Sequence, residues 1–131
     1  MTTTLGETPL DSNTMETFCA YVAALSDPGL LYIHDIEGVT QFSREVANGV
    51  SFAELRQRFN RAYIADNQYT LELAEHTFAA GHADLFSIGH PFIANPDLIQ
   101  RLANGAPLAD APKLYWYGGD STGYSDWPTI N

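Results

Sequence analysis

The sequence predicts an α/β fold built on a short parallel sheet, and three observations lead there. Short apolar runs alternate with amphipathic helical stretches along the chain, helix-start and helix-stop residues punctuate them, and the runs read as strands covered by helices. At 131 residues, with 45% hydrophobic and 17% charged residues, the chain is long enough for one core, and a single domain over 1–131 is expected.

After a polar, irregular opening, Asn13 and Glu16 have the spacing of a reciprocal helix cap. They precede the apolar series Met15, Phe18, Cys19, Val22 and Leu25, and Asp27-Pro28-Gly29 closes a helix over 14–26. The run GLLYIHDI, residues 29–36, predicts a strand with Asp35 and Glu37 at its C-terminal end, where a polar loop begins. Ser51 and Glu54 repeat the cap spacing ahead of Phe52, Leu55 and Phe59, and RAYIA, 61–65, predicts a second strand. The loop Asp66 to Tyr69, a helix over about 70–80 and the break Gly81-His82 follow.

Leu85, Phe86 and Ile88 then predict a buried parallel strand that stops at Gly89. Asn95 as cap, Pro96 at the first helical position and Asp97 beside it predict a helix start near 96, and Gly105 with Pro107 marks its end. The total is three strands and four helices. A closed βα barrel has eight strands in about 250 residues, so with three strands the chain supplies less than half of one.

Composition narrows the function classes. Sixteen acidic against 6 basic residues give a formal net charge of −10, which repels nucleic acid and anionic membranes. Cys19 lies within a helical apolar series and reads as a packed thiol. His76 and His82 show no metal-ligand spacing, so no metal site is expected. Neither a membrane-spanning apolar run nor a signal pattern is evident, and a cytoplasmic protein is the expectation.

From about Leu5 to Pro128, five words occur in a fixed order. They are Gly29-Leu30-Leu31-Tyr32-Ile33-His34 with Glu37, Leu55-Arg56 with Phe59, Tyr63 to Tyr69 (YIADNQY), the stretch GHADLFSIGHPFIANPDLIQRLANGAPL, and the aromatic tail YWYGGDSTGYSDWP. In these words the chain resembles the C-terminal part of the Old Yellow Enzyme family of FMN-dependent reductases. The resemblance implies a partial (βα)8 TIM barrel: strands six to eight as about three parallel βα units, a leading helix and an irregular aromatic C-terminal tail.

The family passes hydride from NAD(P)H through FMN to activated alkenes. The strands that carry its flavin-ring contacts, substrate-binding pair and proton-donating tyrosine have no counterpart here, so no catalytic residue is assigned, and His34 and Asp35 do not replace them. What the resemblance does imply is a set of cofactor-binding positions. Asn67 and Gln68 fall in the turn after the seventh strand, and Gly89 and His90 at the end of the eighth, both of which grip the FMN phosphate in the family. Trp116 and Tyr117 match the aromatic pair bordering the flavin edge.

Two of these positions depart from the family. Gln68 stands where the turn usually has glycine, and His90 where the family has arginine or lysine. Loss of a charge-assisted contact costs roughly 1.5–3 kcal/mol, so weak or relic FMN binding is expected. Three readings follow: a part of a flavin reductase that is not catalytic alone, a non-catalytic partial barrel that self-associates, or a small-anion or nucleotide binder that uses the surviving turn amides. The expected partner is a second copy (a homodimer) or a chain supplying the missing barrel strands.

Overall fold

A computed structural model of the chain describes residues 2–4, 12–39, 43–44, 50–117 and 120–130. The chain divides into two compact units, Met1–Ser87 and Ile88–Asn131.

The first unit contains β1 (Thr2–Thr4), α1 (Thr14–Ser26), β2 (Tyr32–Val39), α2 (Phe52–Arg58), β3 (Ala62–Asp66), α3 (Leu71–Ala79) and β4 (Leu85–Phe86). All three strand pairings are parallel and the sheet order is β1-β2-β3-β4, with registers such as His34↔Ile64 and Ile64↔Leu85. The α/β reading therefore holds, with one strand more than expected. Residues 2–4, read as part of an irregular opening, pair along the edge of β2.

Side-chain alternation sorts the strands into two faces. Ile33, Tyr63 and Ala65 are buried against Val22 of α1, Leu55 of α2, Phe59 and Ala74 of α3. Each large apolar side chain in this layer contributes roughly 1.5–3 kcal/mol through burial. On the other face Tyr32 is 55% and Leu85 53% exposed. Leu85 and Phe86 were expected to be covered on both sides. Only Phe86 packs on the helix-side core, because among the described residues of this unit no second layer covers the opposite face.

Helix limits follow local chemistry. Ser51 Oγ accepts from Glu54 N at 3.2 Å and Thr70 Oγ1 from Leu73 N at 3.2 Å, both as side-chain caps. α1 keeps its expected limits, but the Asn13 side chain makes no capping bond, since its backbone (φ −121°, ψ 34°) is not the extended one that aims a side chain back at the helix. Cys19 packs against the core, and burial, aided by Glu54, pushes its thiol pKa up, the opposite of a reactive cysteine.

The second unit contains α4 (His90–Ala94), α5 (Leu98–Asn104), a 3-10 turn (Lys113–Tyr115) and an irregular tail. The helix expected to start near 96 is α5, which begins at Leu98 with Asp97 and not Asn95 at its cap position, and the short helix before it was not expected. α4 already begins at His90, and the buried Asn95 side chain donates to Pro91 O at 2.7 Å and Ala109 O at 2.8 Å, and accepts from Ala109 N at 2.8 Å. An amide with three backbone partners is not available as a cap. Gly105, at φ 63°, ends α5 as expected. No helix among the described residues is long and apolar enough to cross a membrane.

Candidate functional site

The turn after β3 has the backbone that anion-binding turns use. Asn67 and Gln68 both sit at positive φ, 96° and 55°, and Asp66 Oδ1 accepts the Asn67 N–H at 2.6 Å. Gln68 is exposed, so a side chain other than glycine is carried here at the cost of left-handed strain.

Asn67 is buried and held from two sides. Its Nδ2 donates to Glu37 O at 2.6 Å, and Arg44 Nη1 donates to Asn67 O at 3.1 Å. Arg44 also donates through Nη2 to Glu37 Oε2 at 2.6 Å and to the Tyr69 hydroxyl at 2.7 Å, with its guanidinium carbon 3.9 Å from the Tyr69 ring centre. Tyr69 donates in turn to Glu37 Oε2 at 2.8 Å, and its hydroxyl pKa is pushed up to about 12 by burial and by Glu37.

Sequence reasoning missed this support. It ended the strand at residue 36 and put Glu37 in a polar loop, whereas β2 runs to Val39 and buries Asp35 and Glu37 on the helix side with Ile33. The available signal was the i, i+2, i+4 spacing of Ile33, Asp35 and Glu37, which places them on one face. Gly38, at φ 78°, completes the arrangement: a Cβ there would collide with the Ser43 and Arg44 backbone, so only glycine lets that segment approach.

Deeper on the same face, the Tyr63 hydroxyl lies 2.8 Å from Asp35 Oδ2 and 3.2 Å from Glu37 Oε1. Asp35 Oδ1 is buried and has no hydrogen-bond partner among the described residues. His34, on the opposite side of the strand and partly exposed, pairs with Asp66 at 3.3 Å.

In the second unit Gly89 is exposed, with ordinary right-handed backbone (φ −94°, ψ −57°), and a Cβ there would meet nothing within 4 Å. His90 packs edge-on to Trp116, ring centres 4.3 Å apart, with Asp110 Oδ1 3.7 Å from its Nε2. Trp116 Nε1 donates to Ala111 O at 2.7 Å, which fixes the indole, and Lys113 Nζ lies 5.6 Å from the ring centre. Tyr117 is 82% exposed and has no such fixing contact among the described residues. The structure thus brings His90 and Trp116 together in one unit and places Asn67 and Gln68 side by side in the other.

The chain is 36% identical over 107 residues to 12-oxophytodienoate reductase 1 of Oryza sativa subsp. japonica, an alignment covering 79% of this chain and 28% of the rice protein. It is 37% identical over 122 residues to a 12-oxophytodienoate reductase-like protein of Solanum lycopersicum, covering 92% of this chain and 32% of that one. Among solved structures, the old yellow enzyme homologue from Zymomonas mobilis superposes with a TM-score of 0.84 at 31% identity, over 92% of this chain and 34% of the other. The chain belongs to the Old Yellow Enzyme family. No family model matches it. It spans about a third of the length of the Old Yellow Enzyme relatives it matches, and its α/β sheet is a partial version of their TIM barrel.

The FMN that the Old Yellow Enzyme fold implies fits these residues only in part. In the first unit the turn at Asn67 and Gln68 is left-handed, and in the second, taken separately, nothing lies within 4 Å of where a Cβ would stand at Gly89. The histidine at position 90 supplies no fixed charge, and the carboxylate of Asp110 beside it opposes an anion.

Proposed function

We propose that this chain is the C-terminal portion of an Old Yellow Enzyme-like FMN-dependent NAD(P)H oxidoreductase acting on activated alkenes. In this reading it contributes contacts to the FMN phosphate and is not catalytic alone. The reading is carried by the open sheet face: Tyr32, Ile64 and Leu85 occupy the side that a closed βα barrel fills with packed side chains.

The candidate contributions are the turn at Asn67 and Gln68 in the first unit and, separately, Gly89, His90, Trp116 and Tyr117 in the second. The chain's own residues here position backbone N–H groups. The ring contacts and proton donor belong to strands absent from this sequence.

A second reading rests on the same exposed face. A partial barrel that covers Tyr32 and Leu85 against another copy of itself is a self-associating, non-catalytic protein with a weak relic FMN site.

Purification followed by a flavin absorbance scan tests the first reading. The expected preparation is colourless and without ene-reductase activity. Near-stoichiometric bound FMN with turnover by the chain alone would overturn the proposal that it is an incomplete enzyme.

A further inference from the structure

The polar cluster under the sheet does not balance its hydrogens if every carboxylate is ionised. Glu37 Oε2 is served by Arg44 at 2.6 Å and by the Tyr69 hydroxyl at 2.8 Å. The Tyr63 hydroxyl, however, has a single hydrogen and stands between Asp35 Oδ2 at 2.8 Å and Glu37 Oε1 at 3.2 Å. If it donates to an ionised Asp35, Glu37 Oε1 faces only a lone pair, and the second Asp35 oxygen stays buried without a donor. Two negative charges would then share a completely buried site with one cation.

One added proton supplies the donor that Glu37 Oε1 lacks and removes the excess charge, while Asp35 Oδ1, now a neutral carbonyl oxygen, is buried at a smaller cost than half of a carboxylate would be. With Asp35 neutral, its O–H donates to the Tyr63 oxygen and the Tyr63 O–H donates to Glu37 Oε1, leaving one charge, that of Glu37, paired with Arg44.

We propose that Asp35 is the protonated end of a hydrogen-bond chain running Asp35, Tyr63, Glu37, Arg44 and Tyr69, so that folding of this sheet takes up a proton.

The groups facing the chain are Asp35 and Glu37 of β2, Tyr63 of β3, Tyr69 after it, and Arg44 from the segment at 43–44; the positive charge of the N-terminal amine also acts on Asp35 and opposes its protonation, as the smallest of the causes. Burial pushes the Asp35 pKa up to about 6; the bond from Tyr63 opposes this and the charge of Glu37 adds to it. Glu37 is pushed up by burial as well, but Tyr69 and Arg44 pull it back, which assigns the proton to Asp35.

The sign follows from linkage. The folded state binds the proton more tightly than the unfolded chain does, so the stabilisation is complete below the ordinary aspartate range, near pH 3.8, and is lost as pH rises through about 6. Between pH 5 and 7.5 the folding equilibrium constant of the wild-type chain should fall about tenfold more than that of Asp35→Asn, whose amide cannot ionise.

Urea denaturation of both proteins at the two pH values measures the difference, and parallel pH dependences would overturn the proposal. Should Asp35→Asn not fold, carboxyl-carbon NMR titration of the wild-type chain decides. A midpoint for Asp35 well above that of an ordinary aspartate is expected. An ordinary midpoint, or protonation of Glu37 ahead of Asp35, would overturn it.

Discussion

His90 is surrounded by groups that suit a tryptophan neighbour better than an anion. Its ring lies against Trp116, and the nearest charged partner is the carboxylate of Asp110. An arginine here keeps its charge at all working pH values and presents two donors to one phosphate. His90→Arg should therefore strengthen FMN binding by about 1–2 kcal/mol, roughly five- to thirtyfold in Kd. Titration of both proteins with FMN checks this, and equal affinities would mean that the phosphate is not held at this position. Gln68, in the other unit, carries a cost of its own: its φ of 55° is strain of roughly 1 kcal/mol or more that a glycine would not carry.

At the scale of elements, α5 and the tail form a knot around one arginine. Arg101 is 7% exposed, pairs with Asp97 at 2.7 Å, and donates to Pro107 O and Pro128 O, each at 2.9 Å. Asp97, whose carboxyl is held below the usual range chiefly by the Arg101 bond, also accepts Ile130 N at 2.7 Å. Arg101→Met keeps the stem and removes both carbonyl contacts, each worth roughly 1.5–3 kcal/mol as a charged hydrogen bond. Limited proteolysis should cut the segment after Pro107 at least about tenfold faster in the variant. Unchanged cleavage would show that the tail is held by other contacts.

The helices mark where the sequence could and could not be read. α2 and α3 were legible because apolar periodicity and a Ser or Thr cap act within a few residues, and α1 because of its periodicity alone. The Asn95-Pro96-Asp97 run carried an equally good local signal and located α5 to within two residues, but named the wrong cap. What decided it was the buried Asn95 amide reaching Ala109, a contact invisible to any short window. The candidate site divides in the same way. The left-handed turn at Asn67 and Gln68 was legible as a resemblance, whereas its support by Glu37 and Arg44 depends on a strand that starts and ends three residues later than expected and on Gly38 admitting the 43–44 segment.

At the scale of the molecule, the sheet face with Tyr32 and Leu85 is an uncovered apolar surface among the described residues. Leaving a few hundred Å² of apolar surface wet costs several kcal/mol at roughly 25 cal/mol per Å². A homodimer is the expected outcome for the chain alone, since a net charge of −10 opposes open-ended aggregation but permits one closed symmetric contact. Light scattering after size exclusion at several concentrations should give a dimer mass, with Leu85→Lys shifting it toward monomer. A strictly monomeric wild-type chain at high micromolar concentration would exclude self-association.

The strand order β1-β2-β3-β4 repeats the order of synthesis. Each strand leaving the ribosome finds its partner already made and waiting at the growing edge, and none must be held in reserve for a later arrival. Such a chain can assemble vectorially, with the helix following each strand closing over one face before the next strand appears. A long-lived nascent intermediate would then expose the same open face as the finished sheet, so chaperone demand should end with the covering of that face and not with the completion of the strands.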